Sequence, residues 1–294
     1  MKCSICKQNG HNKRLCKTII TPVSKPNNEL KTDTKVKVKS HVKIEANDDA
    51  HVKIEVNDDA HVKNLNNESS NVLEICQIPN NVNVIQLTKM VKEYMTSRLE
   101  FYNNTGRSPY IEDEFSEWWT QRASAGTHIG KGSVGMDVKT GTSDGIDVMC
   151  VIMNKNTSNE KSLMQKFEGD GGVNLDSLFI EKKGKEALDF YINNYYKKLS
   201  NCAKVHNLNN MYILAFITTK SSVFSVCFKI NLDLIKNVSS TGFTLSEKNI
   251  NTMGFINSEY GIVHLYKSKK RMELRLKKKC ILHQYAVKLL DFTE

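Results

Sequence analysis

No run of 18 apolar residues occurs in the 294-residue chain, so no membrane-spanning helix is expected. The opening MKCSICKQNG lacks an apolar stretch, and no secretory leader is expected either. Aromatic side chains are absent from residue 17 to residue 80, where Lys, Asn and Asp dominate. Too few apolar residues remain there to offset the entropy of ordering, so residues 19–80 read as a disordered linker. Five of the eight cysteines (Cys76, Cys150, Cys202, Cys227 and Cys280) are scattered singly, mostly within apolar runs. That pattern excludes a disulfide framework and predicts reduced core thiols in an intracellular protein.

Charge of one sign is in excess. Forty-two Lys and Arg stand against 32 Asp and Glu, a net charge of +10. Two stretches concentrate it: residues 1–31 hold seven basic side chains and one acid, and residues 266–279 hold eight and one. Such a balance favours an anionic polymer as partner, nucleic acid being the commonest case. Inside the linker the decapeptide HVKIEANDDA recurs as HVKIEVNDDA and decays into HVKNLNNESS, repeating His41, His51 and His61. A ten-residue period matches no metal-binding repeat, and a tandem duplication accounts for it.

The other three cysteines crowd into residues 3–16, CSICKQNGHNKRLC. Their spacing is Cys3-x2-Cys6-x4-His11-x4-Cys16. A CxxC turn presents two thiolates to one point, and the later residues can close a tetrahedron around Zn²⁺. Gly10 lets the backbone turn tightly next to His11. A segment this short has no core of its own, so metal binding would supply its folding free energy, roughly 10–16 kcal/mol for such sites. The residues resemble the CCHC zinc knuckle of nucleic-acid-binding proteins, over residues 1–18. Many knuckles carry an aromatic after the first cysteine and Gly after the second. Ser4 and Lys7 stand there instead, which shifts the expected binding from base stacking to phosphate contacts by Lys2, Lys7, Lys13, Arg14 and Lys17.

From residue 81 to 294 the pattern is that of a mixed α/β domain, a sheet flanked by helices. Helical spacing runs through 84–102, with Leu87, Met90, Val91, Tyr94, Leu99 and Tyr102 on one face. A second helix over 111–123 carries Phe115, Trp118 and Trp119, expected on one side. GIDVMCVIM (145–153) reads as a buried central strand. MYILAFITT and SVFSVCFKI read as an antiparallel pair, preceded by a long helix over 184–206. Another strand is expected in YGIVHLYK and a short helix over 281–291.

The stretch 126–167 holds the candidate chemistry. Gly130-x-Gly132-x-x-Gly135 is followed by MDVKTGTSDG, which cannot open the helix a dinucleotide fingerprint requires. Kinase and Walker patterns are incomplete as well, and Ser133 lacks the GxSxG context of a hydrolase nucleophile. What remains is acids beside strands: Asp137, then Asp147 ten residues on, then Glu160 thirteen further. The arrangement resembles the PD-(D/E)xK class of nucleases, which place an acid on one strand and an acid-x-Lys on the next. The resemblance implies Mg²⁺ held by Asp137, Asp147 and Glu160, a lysine supplying positive charge, and the homodimer that many such nucleases form.

The lysine register stays open at this level. Met149 and Ser162 occupy the x-Lys places after Asp147 and Glu160, whereas Lys139 follows Asp137 as DVK. In that register the partner acid would come from the helix, as Glu114 or Glu117. Lys161 and Gln165 are further stand-ins. Asp144 and Asp147 are equally able to form a turn before a strand, TSDG being good turn chemistry. The isolated histidines His128, His206, His264 and His283 receive no role. The alternative to a nuclease is a binding or assembly protein without catalysis.

Overall fold

The computed structural model describes residues 71–130, 135–154, 156–159, 161–163, 175–181, 183–238, 242–246, 249–266 and 271–292. The knuckle residues Cys3, Cys6, His11 and Cys16, the repeats and Glu160 lie outside these residues. The described part begins with strand β1 (Leu73–Cys76) and helices α1 (Val84–Thr105) and α2 (Asp113–Ala123). Asn83 caps α1 by accepting the Gln86 amide at 3.0 Å, and Gly106 ends it in the left-handed region. Asp113 and Glu114 open α2 while Arg122 closes it, each matching the helix dipole.

Strands β2 (Thr127–His128), β3 (Val138–Thr140), β4 (Asp144–Asn154), β5 (Thr157–Ser158) and β6 (Lys161–Ser162) follow. Then come α3 (Leu175–Ile180), α4 (Gly184–His206), β7 (Asn210–Thr218) and β8 (Ser222–Ile230). The chain closes with α5 (Leu232–Ile235), β9 (Phe243–Leu245), β10 (Asn249–Thr252), β11 (Gly261–Tyr266), β12 (Arg271–Leu276) and β13 (Val287–Asp291).

The main sheet is mixed, in the order β1-β8-β7-β4-β3-β2, with β13 also on β8 and β5 on β4. β4 and β7 run parallel, their crossover carrying α3 and α4, while β3–β4 and β7–β8 are antiparallel. A second, antiparallel sheet runs β6-β12-β11-β10-β9. β4 is apolar on both faces because both are covered. Ile146, Val148 and Cys150 pack with Leu87, Val91 and Trp119 of α1 and α2. Met149, Val151 and Met153 pack with Leu188, Ile192 and Leu199 of α4 and with Val263 and Leu274 of the second sheet. The expected sheet flanked by helices is therefore present.

Three local expectations are corrected. The sheet begins at Leu73, ahead of residue 81, because Val72, Leu73 and Ile75 bury into the core out of an otherwise polar stretch. Residues 281–291 form no α-helix. A 3-10 turn (Lys278–Leu282) leads into β13, which covers the half of β8 that β1 leaves open. Short apolar runs do not distinguish the two periods, and an unpaired strand edge favours the strand. Finally, Trp119 is 2% exposed against Phe216, whereas Trp118 is 48% exposed and lies under the Arg122 guanidinium.

Among the described residues the five cysteines are free, and four are buried. No described helix is long and apolar enough to cross a membrane.

Candidate active site

The β3–β4 hairpin turns at Gly141, whose φ of 57° favours glycine. Asp144 fixes the base of the turn by accepting from Asn81 Nδ2 at 3.1 Å and from Asn210 Nδ2 at 2.9 Å. The turn chemistry read in TSDG therefore belongs to Asp144. Asp147 does something else.

Register follows from the turn. Val138 pairs with Ile146, and Asp137, immediately ahead of β3, meets the Ile146–Val148 segment of β4 that carries Asp147. Asp137 donates its backbone amide to the Ile146 carbonyl at 2.9 Å. Its carbonyl is already taken by the amides of Ile129 (2.7 Å) and Gly130 (3.1 Å). The Asp137 side chain replaces it in the ladder, Oδ2 accepting the Val148 amide at 2.7 Å. A Cβ on Gly130 would lie 2.8 Å from Asp137 Oδ1, so only glycine leaves room for this carboxyl group.

The Asp137 and Asp147 carboxyl groups interact with each other, and two like charges this close disfavour ionising both. Burial first, and the Asp137 charge next, push the Asp147 carboxyl well above the usual range, against the pull of the Lys198 ammonium. Burial also raises Asp137, opposed by the Val148 amide, the Asp147 carboxyl group, and the charges of His128 and Lys198. Lys198 projects from α4, three residues after the buried Tyr195 and four before the buried Cys202.

The other flank comes from α2. Glu117 Oε2 meets His128 Nε2 at 3.1 Å, tying the helix to β2. Burial and the Asp137 charge raise Glu117, while the His128 bond lowers it. Glu117, His128, Asp137, Asp147 and Lys198 thus form one polar constellation at the β2–β3–β4 edge, between two apolar layers.

The sequence-level candidates separate here. Asp137 and Asp147 come together. Glu117, one of the two helix acids considered with the DVK register, faces Asp137. Lys139 donates Nζ to the His206 carbonyl at 2.7 Å, capping the C-terminal turn of α4. Glu114 lines a different cavity of about 590 Å³, with Asp113, Cys150, Lys161 and Arg271. There Lys161 pairs with Asp113 at 2.8 Å, and the neighbouring Asn159 donates its amide to Ile152. Ile152 is five residues along β4 from Asp147, about 17 Å at strand rise. Sequence reading missed His128 and Lys198. The one available signal for Lys198 was its place on the i+3 row of an otherwise apolar helix face.

The donors at this edge are hard carboxylate oxygens, with the Lys198 ammonium and the His128 imidazole beside them. No described group of three or more His, Cys, Asp or Glu is close enough together to hold a metal. Two carboxylates nevertheless suit Mg²⁺, which commonly keeps several waters and takes only one or two protein carboxylates besides a substrate phosphate. The set fits an O-ligated divalent cation completed by solvent and phosphate, and does not fit a closed protein cage.

No family model, characterised protein or solved structure matches this chain.

Proposed function

We propose that the domain is a divalent-metal-dependent nuclease that hydrolyses phosphodiester bonds at the edge formed by β2, β3 and β4. The observation that carries this reading is the Asp137–Asp147 carboxyl pair, with Asp147 on β4 and Asp137 immediately ahead of its antiparallel neighbour β3, beside Lys198 and His128. The pair supports the PD-(D/E)xK reading, which calls for acids at neighbouring strands, although Met149 stands where that class carries its lysine. Two ionised carboxyl groups brought together are costly by themselves, and a divalent cation held by both would relieve that cost.

Asp137 and Asp147 would hold Mg²⁺. When bound, the ion would acidify a water and neutralise charge on the scissile phosphate. The chain's own part is to yield the proton that Asp147 retains, keep Asp137 anchored on the Val148 amide, and aim the Lys198 charge at the same edge. Lys198, reaching in from α4, takes the role that Met149 leaves unfilled on the strand. Glu117 holds the His128 ring beside Asp137 through its Nε2 contact.

The zinc knuckle reading of Cys3, Cys6, His11 and Cys16 rests on their spacing. On that reading the segment grips phosphates through its basic side chains. Being tethered to the same chain raises the effective concentration of both parts on one polymer. The basic excess of the chain supports nucleic acid as the partner, and a homodimer remains part of the resemblance to be tested by sedimentation.

The test is a cleavage assay of the full chain on single-stranded DNA, duplex DNA and RNA, with Mg²⁺ or EDTA. Metal-dependent cutting lost in both Asp137→Asn and Asp147→Asn supports the nuclease. Salt-sensitive binding without cutting on any of the three substrates moves the assignment to a non-catalytic binder, with the carboxyl pair a proton-sharing structural contact.

A further inference from the structure

Five cysteines are described, and two of them face each other. β1 pairs antiparallel with β8 so that Cys76 lies directly opposite Cys227. Residues paired this way have Cα atoms about 4.5–5.5 Å apart, inside the roughly 4.4–6.8 Å span a disulfide bridges without backbone movement. Both side chains are on the same face of the sheet, the one covered by α1 and α2.

We propose that Cys76 and Cys227 form an oxidisable dithiol, closing to a reversible cross-strand disulfide under peroxide.

The two thiols are not equivalent, and the asymmetry assigns their roles. Cys227 is fully buried on a central strand, whereas Cys76 is half-exposed on the short edge strand β1. The open side of Cys76 gives onto a cavity of about 750 Å³ shared with Glu74, Asn81, Tyr212 and Lys229. A small oxidant reaches Cys76 through it. The neighbouring Cys227 thiol, with the Lys229 amide and charge, holds Cys76 below the ordinary thiol range. The Cys76 thiol and burial push Cys227 up. Cys76 is thus the attacking thiolate and Cys227 the resolving thiol, adjacent from the start. By contrast, burial raises Cys150 and Cys280 to about 12 and raises Cys202, and none of the three has a described cysteine neighbour across a strand.

The chemistry balances with hydrogen peroxide as oxidant. The Cys76 thiolate attacks one peroxide oxygen and hydroxide leaves, giving a sulfenic acid. The Cys227 sulfur then attacks the Cys76 sulfur; the S–S bond forms, and the sulfenic oxygen departs as water with the Cys227 proton. Hydroxide takes up the proton Cys76 had released. Two thiols and one peroxide become one disulfide and two waters. The bond would pin β1 to β8 and close a long loop through the sheet.

The full chain is treated with peroxide near neutral pH, alkylated, digested without reductant and mapped by mass spectrometry. The expected product is a Cys76–Cys227 peptide lighter by two hydrogens, reversed by dithiothreitol. It forms about tenfold or more faster than any loss of alkylatable Cys150, Cys202 or Cys280. The thermal midpoint rises on oxidation. In Cys227→Ala and Cys227→Ser the sulfenic acid at Cys76 persists and is trapped by dimedone. In Cys76→Ser, Cys227 stays reduced. The wild-type peptide map needs no variant to fold. Oxidation of Cys76 with Cys227 still reduced, a bond from Cys76 to Cys3, Cys6 or Cys16, or no oxidation ahead of the three buried thiols would each overturn the proposal.

Discussion

The Asp137 carboxyl group accepts the Val148 backbone amide at 2.7 Å, so a side chain completes the β3–β4 ladder at the point where the candidate site begins. This one contact gives Asp137 two duties, structural and chemical, and substitutions can separate them. Asp137→Ala leaves a buried amide without an acceptor and should cost about 1–3 kcal/mol of stability. Asp137→Asn keeps an acceptor oxygen and should cost less than about 1 kcal/mol. Metal-dependent cleavage should fall in both by about a hundredfold or more. Urea unfolding and cleavage rates, measured on the same preparations, check the split. Equal activity in Asn and wild type would remove Asp137 from the chemistry.

Gly130 supplies the space for that arrangement. A methyl group there would lie 2.8 Å from Asp137 Oδ1 and 3.0 Å from its Cα, and backbone cannot yield as a flexible chain end does. Gly130→Ala should therefore displace the carboxyl and cost about 1–3 kcal/mol, as overpacking does. Cleavage should fall further than the stability loss explains. A variant with wild-type midpoint and wild-type rate would show that the carboxyl need not stay where it is.

How much of this was legible in the chain is clearest in β4. Its length and its double-faced apolar character were readable, because a strand covered on both sides loses the polar alternation. The helix faces through Leu87 and Val91, and through Leu188 and Leu199, were readable for the matching reason of period. β13 was not, since the five residues VKLLD are too few to carry a period of their own and the partner edge on β8 is a tertiary fact. At the site, Asp137 and Asp147 were readable as acids beside strands. Their pairing depended on the hairpin register set at Gly141 and Asp144. Lys198 comes from a helix some fifty residues away in sequence, a distance over which spacing says nothing about contact. His128 looked isolated because its partner Glu117 belongs to a different element.

The two lysines now make opposite predictions. Lys139 donates to the His206 carbonyl at the end of α4, and Lys139→Ala should cost about 0.3–1 kcal/mol while leaving cleavage within about threefold. Lys198 faces the carboxyl pair, and Lys198→Ala should lower cleavage by about a hundredfold. Lys198→Arg, which keeps the charge, should recover part of the loss. If instead Lys139→Ala abolishes cleavage in a folded protein and Lys198→Ala does not, the acid-x-Lys register at Asp137 is the working one.

The carboxyl pair also sets the sign of a pH dependence. Asp147 and Asp137 both hold their protons to a higher pH in the folded chain than the ordinary value of 3.8. The unfolded chain releases those protons near that ordinary value, so above it the native state binds more protons than the unfolded one. Stability from the pair is fully present below the ordinary value and is lost as pH rises through the raised folded values. This opposes the usual trend, in which salt-bridged acids make proteins weaker at low pH. Asp147→Asn removes the titration, so without metal the variant should gain on wild type as pH rises, by up to about 1.4 kcal/mol per pH unit within the window. Mg²⁺ should reverse the wild-type trend, because it binds only after the pair gives up its proton, and its stabilisation should grow with pH. Thermal midpoints of both proteins across the acidic to neutral range, with EDTA and with Mg²⁺, measure all three effects. Parallel curves for wild type and Asp147→Asn in EDTA would mean that the two carboxyl groups do not share a proton. A Mg²⁺ effect of the same size in Asp147→Asn would place the cation somewhere else.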